Sequence, residues 1–130
     1  MLVGLGVDVC RVGRFREIFG RQGLRFAKKF LHPNELERFQ MKLTKNQDLG
    51  IQFLASRWAT KEAAYKAVGF NANFCDMEIT SEERGQPSLK FHNKTKEKCE
   101  EKYNGLTPFV SLSHEEDVVF ACVVLESKQF

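Results

Sequence analysis

The first third of the chain changes from a strand pattern to helical patterns. Apolar residues alternate with small or polar ones over positions 2–9, which predicts a β-strand. Positions 12–30 show a basic amphipathic pattern, which predicts a helix interrupted near Gly20 and Gly23. Pro33 and Glu35 mark the start of a further helix within positions 31–42.

The middle of the chain contains its best helix pattern. Positions 45–50 are polar and are predicted to form a loop. Positions 51–68 are rich in Ala and contain neither Gly nor Pro, and Gly69 ends the predicted helix.

The last part of the chain consists mainly of strand patterns. Four strands are predicted, over positions 77–80, 88–91, 109–113 and 118–126. A turn signal lies at positions 85–87, and a polar helix is predicted over 94–103. One strand, then helices, then mainly strands predicts an α+β fold with a largely antiparallel sheet.

Size and composition fit one globular domain over residues 1–130. Of the 130 residues 42% are hydrophobic, and twelve Phe residues supply material for a core. No apolar stretch approaches the roughly 20 residues that span a bilayer, and the cysteines form no CxxC pair. We therefore predict a cytoplasmic protein, or alternatively a mitochondrial one, without membrane contact. A domain this small favours oligomerisation, with sites at subunit boundaries.

Positive charge is concentrated between positions 11 and 29, although the net charge is only +3. This stretch contains a single acid, Glu17, and seven basic residues. The basic residues are Arg11, Arg14, Arg16, Arg21, Arg25, Lys28 and Lys29. One interpretation of this asymmetry is an acidic partner, such as a protein, a nucleic acid or a phosphate ligand. The other is a basic helix face that is simply exposed to solvent. Phe15, Phe19 and Phe26 lie within the basic stretch at helical spacing, which favours core packing over base stacking.

Asp8 is the first candidate for chemistry. It shares one face of the predicted strand with Gly4 and Gly6, and glycines in a strand mark close approach by another backbone or a ligand. A carboxylate in this position can reach a phosphate-bound metal ion. It can equally be a turn residue at the end of the strand.

Glu62 and Lys66 are the second candidate, in the helix over 51–68. A helical wheel places both within the apolar arc and places Arg57 and Lys61 on a more exposed edge. Opposite charges on a buried face cost desolvation unless another group holds them. The pair is therefore either a structural ion pair or a metal carboxylate beside a phosphate-binding lysine, and we favour the second interpretation.

The third candidate is the segment 110–114. Ser111 and Ser113 share one face of the predicted strand, and His114 lies where the strand ends. Hydroxyls and an imidazole at a strand end can hydrogen-bond a phosphate. A local serine–histidine hydrolase pair is disfavoured, because adjacent strand residues point to opposite faces.

These candidates supply carboxylates, a lysine and a histidine, without Cys-rich or His-rich metal spacing. Oxygen ligands suit Mg²⁺, which takes one or two carboxylates and fills its shell with water and substrate phosphates. The set is typical of phosphoryl transfer. The sequence lacks a Walker-type glycine-rich loop, which excludes a P-loop enzyme.

At these same residues the chain resembles the holo-[acyl-carrier-protein] synthase type of 4′-phosphopantetheinyl transferase. Three blocks match in order and spacing: GLGVDV at 4–9, WATKEAAYKA at 58–67 and VSLSH at 110–114. The stretch FLHPNEL at 30–36 is similar to the family's helix start between the first two blocks. The resemblance covers nearly the whole chain, and the length fits the single-repeat type.

The resemblance implies the 4′-phosphopantetheinyl transferase fold, assembled as a homotrimer with sites between subunits. It implies Mg²⁺-dependent transfer of 4′-phosphopantetheine from coenzyme A to a serine of an apo acyl carrier protein, with release of 3′,5′-ADP. Arg14, Arg21 and Arg25 would meet the acidic recognition helix of the carrier protein.

The resemblance also implies roles for the candidate residues. Asp8 and Glu62 would be the Mg²⁺ ligands. Lys66 would contact the coenzyme A diphosphate or assist proton transfer. A coenzyme A phosphate would be bound by His114 with Ser113, and Arg57 would lie near the nucleotide.

Two segments depart from the family's pattern. Positions 69–73 replace a Gly-Thr-Gly-like turn, and positions 115–117 add three acids after His114. Two alternatives stay open. One is a transferase relative that has lost activity, and the other is a non-catalytic basic module that binds nucleic acid.

Overall fold

Eleven elements make up the described part of the fold. The computed structural model describes residues 1–81 and 85–128. In chain order the elements are β1 (Leu2–Arg11), α1 (Val12–Gln22), α2 (Leu24–Phe30), α3 (Pro33–Lys45), α4 (Gln47–Val68), a 3₁₀ turn (Phe74–Asp76), β2 (Met77–Ser81), β3 (Pro87–Phe91), α5 (Asn93–Tyr103), β4 (Leu106–Glu115) and β5 (Val118–Ser127).

The strands form two antiparallel sheets. In the larger sheet β5 lies between β1 and β4. Asp8 on β1 pairs with Ala121 on β5, and Ser113 on β4 pairs with Phe120. The smaller sheet joins β2 to β3. The predicted α+β fold with antiparallel pairing is confirmed.

Helix α4 is the central helix and is buried on more than one side. It packs against β1 and β5 on one side, and α1, α3 and β2 also contact it. Ile51, Leu54 and Ala59 are fully buried. The helix ends at Gly69, whose φ of 74° lies in the left-handed region that favours glycine, as the sequence predicted.

Strand β1 crosses α4 at very short range because two of its residues lack side chains. A Cβ atom at Gly4 would overlap the carbonyl oxygen of Ala67, and one at Gly6 would overlap that of Ala63. The glycines therefore accommodate another backbone. Asp8 follows Gly4 and Gly6 along β1 and therefore lies beside α4.

Two details of the predicted helices are wrong. Positions 45–50 do not form a loop, because α3 continues to Lys45 and α4 begins at Gln47. The side chain of Asn46 accepts a hydrogen bond from the backbone nitrogen of Asp48 at 2.8 Å and caps α4 directly. Gly20 lies inside α1, so only Gly23, with φ of 59°, interrupts the basic segment.

Aromatic rings fill the core beside α4. Phe15 is fully buried, and Phe19, Phe26 and Trp58 pack against the same cluster. The prediction that these phenylalanines pack in the core is confirmed, which removes the base-stacking surface that a nucleic-acid-binding module would need. Among the described residues, the helices are too short or too polar to cross a membrane.

Candidate active site

Asp8 and Lys66 meet where β1 crosses the last turn of α4. The ammonium nitrogen of Lys66 lies 3.3 Å from Oδ1 of Asp8 and donates to the carbonyl oxygen of Val7 at 2.9 Å. The side chains of Asp8 and Lys66 are 18% and 52% exposed, so a ligand can reach both. The approach of β1 to α4 thus places a carboxylate and a cation together.

Glu62 lies one turn before Lys66 on α4 and is half-buried. Burial raises the pKa of Glu62, and the negative charge of Asp8 raises it further. The positive charges of Lys66 and Arg14 oppose this rise without cancelling it. Asp8 and Glu62 therefore lie close enough to repel each other, and a cation between them would relieve that repulsion.

The donor set of this pair fits Mg²⁺. Both ligands are carboxylates, one from β1 and one from α4, and both are accessible from solvent to some degree. Mg²⁺ prefers oxygen ligands and commonly binds through one or two carboxylates, with water and substrate phosphates completing the shell. The residues present are thus suited to hold it.

The helical wheel assigned the buried charges of α4 to the wrong residues. Glu62 is half-buried and Lys66 is exposed, whereas Arg57 and Lys61, predicted to be more exposed, are only 8% and 0% exposed. The wheel recognised the apolar arc that faces the larger sheet. It could not show that α3 and β2 cover the other side of the helix.

Lys61 is a buried lysine that the sequence analysis missed. Its ammonium group donates to the carbonyl oxygens of Phe30 at 2.7 Å and Phe74 at 3.0 Å, and to the carboxylate of Glu35. The other oxygen of Glu35 accepts from the backbone nitrogen of Ile79 at 2.9 Å. This pair holds α4 to α3 and β2. Its only sequence signal was a lysine within an alanine-rich helix together with an acid in the first turn of α3.

Arg57, Ser113 and His114 line one cavity of about 310 Å³ between α4 and the β4–β5 hairpin. Lys42 of α3 also lines it, although the sequence analysis did not select that residue. The structure thus brings together three of the residues predicted to bind coenzyme A, and adds a second cation.

Arg57 is held in place and keeps a free donor. It donates to the hydroxyl of Ser56 at 3.2 Å, and its guanidinium carbon lies 4.2 Å from the centroid of the Phe53 ring. Burial lowers the pKa of Arg57 to about 10, against the favourable charge of Glu35, so it stays protonated at neutral pH. Its Nε atom is buried without a hydrogen-bond partner in the part of the chain that is described.

The acidic segment after His114 has a structural role at one position. Oδ1 of Asp117 accepts a hydrogen bond from the backbone nitrogen of Gly13 at 3.0 Å. The backbone carbonyl oxygen of Asp117 accepts one from the backbone nitrogen of Val12 at 2.8 Å. The first turn of α1 contains no acid of its own, so Asp117 supplies the negative charge that a helix N-terminus favours. Glu116 lines the cavity beside His114.

The predicted site residues form two groups in one chain. Asp8, Glu62 and Lys66 make the first group, and Arg57, Ser113 and His114 make the second. Arg57 and Glu62 are five residues apart, which is about 140° of rotation on an α-helix. The two groups therefore face different sides of α4.

The arginines predicted to bind the carrier protein are exposed, and they are Arg14, Arg21 and Arg25. The guanidinium carbon of Arg14 lies 5.5 Å and 5.8 Å from the ring centroids of Phe15 and Trp58. Its charge also partly opposes the rise in the pKa of Glu62. A partner bound to this surface would therefore adjoin the pair of carboxylates.

Comparisons with known proteins agree with this site. A model of the 4′-phosphopantetheinyl transferase superfamily matches residues 4–123. The holo-[acyl-carrier-protein] synthase of Methylibium petroleiphilum is 34% identical over 99% of both chains. The structure of such a synthase from Neisseria meningitidis has a TM-score of 0.84 at 30% identity and covers 98% of this chain and 100% of its own.

A further solved structure, from Bacillus anthracis, is of a holo-(acyl-carrier-protein) synthase in complex with CoA (3′,5′-ADP). It has a TM-score of 0.77 at 30% identity and covers 98% of this chain and 99% of its own. The chain belongs to the 4′-phosphopantetheinyl transferase superfamily. Within it, the chain is similar over its full length to holo-[acyl-carrier-protein] synthases, so the predicted family is confirmed.

Proposed function

We propose that this chain is a holo-[acyl-carrier-protein] synthase. It transfers the 4′-phosphopantetheine group of coenzyme A to a serine hydroxyl of an apo acyl carrier protein and releases 3′,5′-ADP. The observation that carries the proposal is the meeting of Asp8 and Lys66 with Glu62 at the crossing of β1 and α4. Full-length similarity to proteins of that name supports it.

Asp8 and Glu62 would hold Mg²⁺ beside the diphosphate of coenzyme A. When bound, the ion offsets charge on the diphosphate and on the departing nucleotide. Lys66 donates to Asp8 and Val7, so its ammonium group is oriented to donate to a diphosphate oxygen as well. This leaves Glu62, directly or through a water, to accept the proton of the serine hydroxyl. Positioning and electrostatics carry most of this reaction.

The nucleotide end of coenzyme A would occupy the cavity lined by Arg57, Ser113 and His114. Arg57 and Lys42 both line this cavity and together supply two positive charges for a phosphate. Because this cavity and the two carboxylates face different sides of α4, one ligand needs them from neighbouring subunits. A subunit boundary is therefore the place for the complete site.

The outer face of the larger sheet supports self-assembly, and the family resemblance implies that the assembly is a homotrimer. Its exposed apolar side chains are those of Leu5, Val7, Val9, Phe109 and Phe120, each at least 41% exposed. These residues share the sheet face opposite α4, since their neighbours on each strand point inward. A contiguous apolar face of this kind marks an interface.

Glu62→Gln tests the assignment of the carboxylates. With Mg²⁺, coenzyme A and an apo carrier protein, the wild-type chain should add the mass of phosphopantetheine. Glu62→Gln should lower kcat about 100-fold or more, because one metal carboxylate is lost. Glu97→Gln, an exposed glutamate on α5, is the matched control and should retain activity. Wild-type activity in Glu62→Gln would rule out the proposed metal pair.

Mixed assembly tests the shared site. Glu62→Gln and Arg57→Ala subunits are each expected to be inactive alone. Unfolded and refolded together, they should recover part of the activity, because some boundaries then combine an intact carboxylate pair with an intact cavity. A mixture that stays as inactive as its components would contradict a site between subunits.

Arg14→Glu tests the carrier-protein surface. The KM for the carrier protein should rise about tenfold while the KM for coenzyme A changes little, because a positive charge facing an acidic helix is reversed. Arg21→Glu is a second variant on the same helix, and Arg21 is not among the charges that shift the pKa of Glu62. If Arg14→Glu raised both KM values equally and Arg21→Glu raised neither, the surface would not bind the carrier.

A further inference from the structure

A second group of metal-ligand residues lies outside the proposed active site. His32, Glu78 and His92 offer ligand atoms that all lie within 4.8 Å of one another. They come from separate elements, since His32 precedes α3, Glu78 lies in β2 and His92 precedes α5. Glu78 is buried and the histidines are half-buried, so the group can be reached from solvent.

The carboxylate of Glu78 is oriented toward the imidazoles. Its Oε1 lies 3.0 Å from Nε2 of His92. Its Oε2 accepts from Asn34 at 3.3 Å and from Arg38 at 3.2 Å. Outer donors that hold one oxygen and leave the other facing a ligand position are typical of metal-binding carboxylates.

The hydrogen bonds around Glu78 favour its ionised form. Burial raises its pKa, but hydrogen bonds from Asn34, Arg38 and His92 outweigh burial and leave the pKa below its ordinary value. The rings of His32 and His92 lie in contact in a tilted arrangement, with centroids 4.5 Å apart and planes inclined at 32°. An anionic oxygen and two imidazoles are thus held together before any ion binds.

We propose that His32, Glu78 and His92 form a second metal site, which takes Zn²⁺ or a similar late first-row divalent cation. Two imidazoles and one carboxylate are a ligand set that zinc accepts, with a fourth position left for water. Mg²⁺ prefers oxygen ligands, so it should bind at Asp8 and Glu62 rather than at the two imidazoles. The two sites therefore select different ions.

Ion binding at this site competes with capping of α3. Nδ1 of His32 accepts a hydrogen bond from the backbone nitrogen of Asn34 at 3.1 Å. A neutral imidazole has one acceptor nitrogen, so it cannot both accept this bond and ligate a metal. The ring must therefore release Asn34 when the ion binds. The other half of the capping box stays, because Glu35 still accepts from the backbone nitrogen of His32 at 3.0 Å.

Zinc titration by calorimetry, with excess Mg²⁺ present, tests the proposal. The wild-type chain should bind one Zn²⁺, and Co²⁺ in its place should give the visible absorption of a low-coordinate site. His32→Asn keeps a helix cap and His92→Gln keeps a donor to Glu78, so both should fold. Each should weaken zinc binding at least about tenfold.

His114→Ala is the matched control, because it removes the third histidine of the chain. It should leave zinc affinity unchanged. Unchanged affinity in both His32→Asn and His92→Gln would overturn the proposal, and so would zinc binding that disappears in Glu62→Gln instead. That second outcome would assign the ion to the proposed active site and leave the transferase proposal standing.

Amide and imidazole resonances report the competition with the cap. Zinc should shift the ring nitrogens of His32 and His92 together with the backbone amide of Asn34. The His114 ring should not shift. Saturating zinc that leaves the Asn34 amide unchanged would contradict ligation by His32.

Discussion

Glu62 and Glu78 have opposite pKa shifts although burial raises the pKa of both. At Glu62 the charge of Asp8 adds to the effect of burial. At Glu78 hydrogen bonds from Asn34, Arg38 and His92 reverse it. The difference comes from neighbours contributed by other elements. Glu62 is therefore suited to share a cation with Asp8 or to take a proton, whereas the surroundings of Glu78 favour its anionic form.

Glu78 should make folding stability sensitive to acid. Its pKa is lowered in the folded chain from an ordinary value of 4.5, so its ionised form stabilises the fold above that pH. This contribution is lost as the pH falls through the folded pKa. As the pH falls below about 5 the wild-type chain should lose more stability than Glu78→Gln, measured by urea unfolding with a chelator present. Parallel pH curves for the two proteins would refute this.

At the scale of elements, the crossing of β1 and α4 depends on missing side chains and on one buried ion pair. Gly4 and Gly6 let the two backbones approach. Lys61 and Glu35 hold the opposite side of α4 to α3. Together they fix the helix that carries Glu62, so changes in packing at a distance from Glu62 can displace the proposed active site.

Gly6→Ala should destabilise the fold by about 3 kcal/mol or more, because its methyl group would overlap the carbonyl oxygen of Ala63. Gly20→Ala is the control within helix α1, since a Cβ there meets no atom within 4 Å. It should stabilise the chain by up to about 1 kcal/mol through helix propensity. Thermal or urea unfolding measures both, and equal effects would contradict the close crossing.

Lys61→Met should destabilise the fold by about 3 to 5 kcal/mol, because it leaves the carboxylate of Glu35 buried without its partner. The double variant Lys61→Met with Glu35→Gln should cost less than the sum of the two single variants. Additive costs in the unfolding experiment would show that the two side chains do not stabilise each other.

At the scale of the whole molecule, the proposed site needs more than one chain. The outer sheet face carries exposed Leu5, Val7 and Val9, and the cavity lined by Arg57 lies on a different side of α4 from Glu62. Burying that face between subunits would remove its apolar side chains from water and would place the cavity of one subunit beside the carboxylates of another. Assembly and activity are therefore expected to fail together.

Val9→Arg should reduce the proposed trimer to smaller species and lower transferase activity, because it places a charge within the apolar face. Met41→Arg changes a residue of similar exposure on α3, away from that face, and should leave both unchanged. Light scattering after size-exclusion chromatography measures the mass. A Val9→Arg protein that keeps the wild-type mass would disprove this interface.

The order of elements, the antiparallel α+β class and the family could all be predicted from the amino-acid sequence. These follow from local information: alternation along strands, the glycine that ends α4, and the three motif blocks. The sequence also selected Asp8, Glu62 and Lys66, because their chemistry and spacing are carried by contiguous motifs. The boundary between α3 and α4 was predicted wrongly. A loop was expected there, but the two helices are separated by a single residue, Asn46, which caps α4.

Which charged side chains are buried could not be predicted from the sequence and became clear from the packing of the folded chain. Arg57 and Lys61 lie inside because α3 and β2 cover one side of α4, whereas Lys66 reaches solvent beside Asp8. The group of His32, Glu78 and His92 likewise has no spacing that a sequence search recognises. Burial and ligand geometry depend on neighbours from distant segments, and a pattern along one element does not contain them.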